Sequence, residues 1–228
     1  MLPCSARAAR RHRLACGAAA LALTLAGPGC QAPTPRPTLD PSLVWVSAEA
    51  KVRTDTVGEG PFASQATFVL VDAENRAAEP AMITLGGTFR DEANAVVGTL
   101  RAESLWVPAG GRRMFALVDR DRVPRPTARG AQILVSGARV AARPPIMHLE
   151  QERTYEDYGK IVAQARLVND ADRPGRAMVF AAFYDAQHRP MARPFSVVPI
   201  AAQSDVPLQL VGPEGSASGV MFLGDLVY

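Results

Sequence analysis

The sequence predicts an all-β protein: two tandem antiparallel β-sandwich modules behind an export leader and a Pro-rich linker. Three observations predict it. Apolar and β-branched runs recur about every ten to fifteen residues, separated by Gly, Pro, Asn and Asp clusters, which is the rhythm of short strands and turns. No segment carries a sustained apolar stripe at the helical period of about 3.6 residues with caps at its ends. The strand candidates also fall into two sets whose motifs follow in the same order.

The first set is 43–48, 65–72, 81–90, 112–118 and 132–141. The second is 146–150, 161–169, 176–185, 195–198, 206–211 and 219–228. The run 177–183 (AMVFAAF) has some helical propensity, but its shortness and turn-rich flanks predict a buried strand. Phe89-Arg90-Asp91 aligns with Phe183-Tyr184-Asp185 at an offset of 94, and Val107-Pro108 with Val198-Pro199 at 91. The difference places a three-residue insertion or deletion in a loop between them. The modules are expected over 42–143 and 144–228, joined through the stiff Arg143-Pro144-Pro145.

Residues 1–29 read as a signal peptide. Arg7, Arg10, Arg11 and Arg13 form a positive n-region, and 14–26 (LACGAAALALTLA) form an apolar stretch too short for a membrane span of about 20 residues. Gly27-Pro28-Gly29 then leads into Cys30. Small residues before a cysteine are what lipoprotein signal peptidase needs, so Cys30 is the candidate lipidation site. Gly27 stands where such signals usually carry Leu, which leaves an ordinary secretory signal as the alternative. Gln31, in place of a retaining Asp, points to the periplasmic face of the outer membrane; the alternative is a secreted or periplasmic protein. Residues 30–41, with four Pro between 31 and 41, read as an extended spacer.

The net charge of +3 belongs to the leader. Taking its four arginines from 25 basic residues leaves 21, against 22 acidic ones, so no nucleic-acid footprint remains. Cys4 and Cys16 lie in the leader, and beyond Cys30 the chain has no cysteine. That excludes a disulfide, a thiolate metal site and a cysteine nucleophile in the body.

The search for chemistry yields turns and cores. His148 and His188 lack metal-ligand spacing, and no metal or cofactor is expected. Asp170 with Asp172, and Asp119 with Asp121, lack the remaining oxygens of a calcium loop and read as turn caps. Gly215-Ser216-Ala217-Ser218-Gly219 does not match the nucleophile elbow GxSxG. The chain is therefore read as no enzyme. Trp45, Phe68, Phe89, Trp106, Phe115, Phe180 and Phe183 fall at or beside strand positions and are candidate core. The candidate partner surface is Tyr155 and Tyr158, in a charged connection, with Arg112 and Arg113 after a Gly-Gly turn.

The run RLVNDADRPGRAMVFAAFYDAQHRPM…VVPIAAQSDVPLQL resembles the FxLYD-type Ig-like modules of prokaryotic envelope proteins. It is also similar to the YcfL-like family of small periplasmic lipoproteins. The resemblance covers 146–228 well and 43–142 loosely. The chain departs from it in having two copies and Arg90 in place of the Tyr. It implies Ig-like sandwiches and an envelope location, and it carries no catalytic residues. The expected function is non-catalytic binding of another envelope component, in an accessory or assembly role, at a membrane reached through the lipid anchor. A periplasmic lipoprotein that binds a glycan or small ligand is the alternative, and it would need a groove lined by exposed Trp or Tyr.

Overall fold

Fourteen strands fill the residues that the computed structural model describes: 37–58, 60–141 and 145–227. The leader, Cys30, Gln31 and the Arg143-Pro144 joint lie outside them. The strands are β1 (Val44–Val46), β2 (Lys51–Val57), β3 (Ser64–Asn75), β4 (Ala81–Arg90), β5 (Val96–Val107), β6 (Arg112–Val118) and β7 (Gly130–Val140) in the first half. The second half holds β8 (Met147–Asp157), β9 (Lys160–Asn169), β10 (Gly175–Tyr184), β11 (Pro190–Ala192), β12 (Phe195–Ile200), β13 (Ser204–Val211) and β14 (Ser218–Val227). The described residues contain no α-helix, only single 3₁₀ turns at Pro41–Leu43 and Gly60–Phe62. The all-β expectation holds.

Each half makes two antiparallel sheets. In the first, β3 is flanked by β1 and β2 in succession on one side and by β6 on the other, while β4 lies between β5 and β7. In the second, β9 lies between β8 and β13, and β10 is flanked by β11 and β12 in succession and by β14. Among the described strands, no ladder joins one half to the other. Pro199 and Pro207 sit in the edge strands β12 and β13, where a missing N–H costs no ladder bond.

The halves agree in detail. Asn75 is buried, and its Nδ2 donates to the carbonyls of Glu79 (2.8 Å) and Val107 (3.2 Å), while its Oδ1 accepts from Ala77 N (3.1 Å). Asn169 is also buried and bonds Arg173 O (3.0 Å), Ala201 O (2.8 Å) and Ala171 N (3.1 Å). Every partner lies 94 residues on. The Asp hairpins match as well. Asp91 Oδ1 accepts from Ala95 N at 2.8 Å and Asp185 Oδ1 from Arg189 N at 2.9 Å, with Asn94 and His188 both at positive φ. The ladder slips at Phe89/Arg90 and again at Phe183/Tyr184. Because Val107 plays the part of Ala201, the alignment of Val107-Pro108 with Val198-Pro199 does not hold. Pro108 leaves β5 for a turn, whereas Pro199 lies inside β12.

Packing explains the apolar run of β10. Ala177, Val179, Ala181 and Phe183 join Ala163, Ala165 and Leu167 of β9, with Met147 and Met221, in the core of the second half. The alternate residues Met178, Phe180, Ala182 and Tyr184 join the core of the first half, with Val69 and Val71 of β3, Ile83 and Leu85 of β4 and Phe115 of β6. A strand with both faces covered needs no polar alternation. The equivalents on β4, 94 residues earlier, are Thr84, Gly86, Thr88 and Arg90, and Thr84 Oγ1 bonds Ser104 Oγ at 2.7 Å at the exposed surface. One core cluster thus takes in residues of both halves, a second lies within the second half, and the described residues belong to one compact unit.

Three sequence expectations change. β2, β5 and β11 were not among the expected strands. β8 runs on to Asp157, so Tyr155 lies in a strand rather than a connection, with Tyr158 and Gly159, both at positive φ, forming the turn into β9. The end of the expected spacer is docked: Leu39 N donates to Ala138 O (3.0 Å), Val140 N donates to Pro37 O (3.1 Å), and Leu39 packs on the core. Proline's lack of a donor did not prevent this, because the carbonyl of Pro37 and the N–H of Leu39 suffice to cover the edge of β7.

Candidate functional site

The two sandwiches meet at a wedge. At its closed end, the hydroxyl of Tyr184 on β10 donates to Asp72 Oδ1 on β3 (2.8 Å), and Arg112 Nη2 of β6 donates to Asp72 Oδ2 (2.6 Å). Asp72 is completely buried. Burial pushes its carboxyl above the ordinary carboxylate range, although Tyr184 and Arg112 both pull it down. Burial, with the neighbouring Asp72 charge, pushes the Tyr184 phenol well above its usual value. The Arg112 guanidinium also lies over Trp45 (5.5 Å) and Tyr184 (5.9 Å).

A second clamp joins the edges. Arg193, which follows β11, forks onto Glu103 of β5 (2.6 and 3.1 Å) and donates to the carbonyl of Met114 (3.1 Å). Glu103 Oε2 accepts in turn from Ala116 N (2.8 Å). Met114 O and Ala116 N, on the edge of β6, are thereby satisfied. The Arg193 guanidinium stacks on Phe180 at 4.2 Å, and Phe180 contacts Phe222 (5.4 Å) and Phe195 (6.0 Å). Phe180 has room because residue 224 is Gly: a Cβ there would lie 2.3 Å from its Cε2. Only 7% of the Arg193 side chain is exposed, and removing one partner of such a buried pair costs roughly 3–5 kcal/mol.

Beyond these clamps the wedge opens into a cleft of about 1370 Å³. Its floor is the outer face of the β2-β3-β6 sheet, with Phe68, Leu70 and Val118. Its opposite wall carries Met178, Phe180 and Phe195. Arg53, Asp55, Arg101 and Lys160 stand at the lips. Arg53 reaches across to donate to the carbonyls of Pro190 and Met191, and burial draws its guanidinium below the ordinary value. No protein-family model and no curated protein sequence matches this chain.

The sequence-selected residues lie apart from the cleft. Tyr155 bonds Gln209 Nε2 (3.1 Å) and lies under Arg153 (5.6 Å), and Tyr158 is 99% exposed at the β8–β9 turn. Arg112 and Arg113 open β6 rather than a free loop. Arg112 is held by Asp72, and Arg113 stacks on Phe222 at 5.2 Å. Asp119 and Asp121 are bridged by Arg125 (2.8 and 2.7 Å). Ser216 Oγ donates to Pro213 O within its own turn (2.8 Å). His148 contacts Glu150 (3.1 Å) and Asp170 (3.5 Å). No three His, Cys, Asp or Glu side chains among the described residues are placed to hold a metal ion. Sequence reasoning missed Arg53, Arg101, Glu103, Lys160 and Arg193. The available signal was β10 itself, since an all-apolar strand in a two-layer sandwich has one face left over for a second body.

Proposed function

We infer that this is a non-catalytic, lipid-anchored envelope protein, tethered through Cys30 to the periplasmic face of the outer membrane, that binds another envelope component. The body is two tandem copies of an Ig-like sandwich of the YcfL-like or FxLYD type. The matching Asn75 and Asn169 corners support the duplication. The observation that carries the binding function is the cleft: rigid sandwiches, clamped at one end, leave apolar side chains accessible beneath charged lips. Its aromatic side chains are phenylalanines, with no Trp or Tyr in the lining, which favours a protein partner over a glycan. Tethering would raise the effective concentration of the cleft for neighbours in the same membrane.

In-cell crosslinking of the tagged full-length chain, followed by detergent pull-down and mass spectrometry, tests this. A reproducible envelope protein, lost when Phe68 is replaced by Asp, is the expected result; a blank at matched expression rejects it. Cys30→Ala should move the folded protein out of the membrane fraction. Retention after a salt wash would contradict the lipid anchor.

A further inference from the structure

We propose that the cleft receives an extended peptide segment, at least about three residues long, that carries an acidic side chain beside apolar ones. The proposal rests on the partner-binding reading above and specifies the surface and its chemistry.

Charge gives the first argument. Arg53 bonds only carbonyl oxygens, and the carboxylate whose charge reaches it, Asp185, is engaged by Arg189. Among the described residues, Arg101 and Lys160 make no ion pair. Glu103 is already engaged by Arg193, which leaves Asp55 as the one acid of the lining without an ion pair among the described residues. Three cations against one acid make the lips positive, on a body whose charge beyond the leader is close to neutral. Such a local excess steers and retains a negative ligand.

The walls give the second. Arg53, Phe68 and Val118 form one cross-strand row, and Asp55, Arg101 and Phe195 line the same cleft. A continuous acyl chain would leave those charged groups facing hydrocarbon, whereas a peptide offers a main chain and a charged side chain to bond them and apolar side chains to fill the spaces between. Dimensions agree. At about 1370 Å³ the cleft exceeds the roughly 300–1,000 Å³ of small-molecule pockets. It crosses from β2 over β3 to β6, with β5 of the other sheet beyond. Two strand spacings of about 4.8 Å make roughly 10 Å, and an extended chain rising about 3.3 Å per residue needs at least about three residues to cover that.

The test is to pan a phage-displayed random heptapeptide library on the folded protein. The consensus peptide is then titrated by fluorescence anisotropy against the wild type and the Arg101→Glu/Lys160→Glu double variant. Both substitutions are at exposed positions, and circular dichroism checks the fold. A consensus with Asp or Glu beside Leu, Ile or Phe is expected. Its affinity should fall at least about tenfold in the double variant, because like charges then face each other. It should also weaken as salt rises. No consensus, a consensus without an acid, or equal binding by the double variant overturns the proposal. So does charge-dependent binding of phosphatidylglycerol vesicles with no peptide selected, which would make the occupant a lipid. A crosslinked partner obtained despite failed panning would leave the binding function standing and move it to another surface.

Discussion

Replacing Tyr184 with Phe tests the closed end of the wedge. The substitution keeps the ring against Ala182 and Arg112 and deletes the 2.8 Å bond to Asp72. A hydrogen bond to a charged group contributes about 1.5–3 kcal/mol, a neutral one about 0.5–1.5. The value therefore depends on the protonation of Asp72. Its folded-state pKa is raised by burial, so the folded state holds the proton longer than the unfolded chain does. The cost of the buried charge is absent below the unfolded value near 3.9. It grows as pH rises through the folded pKa and is constant above it. Tyr184→Phe removes one of the bonds that pull Asp72 down, which pushes the carboxyl higher and enlarges that cost. The variant should lose about 2 kcal/mol near pH 7, or roughly 4–8 °C in Tm for a domain of this size. Near pH 4 the gap should shrink to about 1 kcal/mol or less. Urea unfolding of both proteins at the two pH values, with m-values compared, measures it. An equal gap at both, or a wider one near pH 4, would refute the ionised Asp72 acceptor.

Other outcomes follow from the same geometry. Asn75→Ala and Asn169→Ala each remove three hydrogen bonds made by a buried side chain, at about 0.5–1.5 kcal/mol per bond. Comparable losses of denaturation midpoint are expected, and a loss at only one site would mean the two corners are not equivalent. Residues 145–228 hold all strands of their two sheets, so the fragment should give a β-type circular dichroism spectrum. It should also bind the dye ANS and self-associate, because Met178, Phe180, Phe195 and Phe222 lose their cover; a monomeric fragment that ignores ANS would show the shared core to be dispensable.

What the sequence made legible was the part of the fold that depends on local alternation. β4 and β6 were expected at 81–90 and 112–118 and are found there, because apolar residues mark their inner faces and turn residues mark their ends. β2 and β5 escaped because they are edge strands. On β2 no residue is fully buried, so no apolar alternation marks it, and Arg101-Ala102-Glu103-Ser104 imitates a loop for the same reason. The cleft was hidden for a different cause. Its cations come from four strands or strand ends far apart in sequence, and only the docking of one sandwich on the other brings them to one opening. Tyr184 was noticed as part of a repeated motif, but the partner that matters to it is Asp72, 112 residues away.

The docking is asymmetric: the second sandwich offers its β10 face, and the first receives it on its β3–β6 face. Two faithful copies joined in this way would present one unused donor face and one unused acceptor face, the recipe for an open-ended filament of identical molecules. Here neither spare face is usable. The corresponding face of the first half carries Thr84, Gly86, Thr88 and Arg90, with Arg90 bound to Gln132. The acceptor face of the second is tied up by Arg153 on Gln164 and Arg166 on Asp205. As in capped repeat proteins, polar outer faces end the series. Polar outer faces of this kind leave the chain no matching pair of surfaces through which to polymerise.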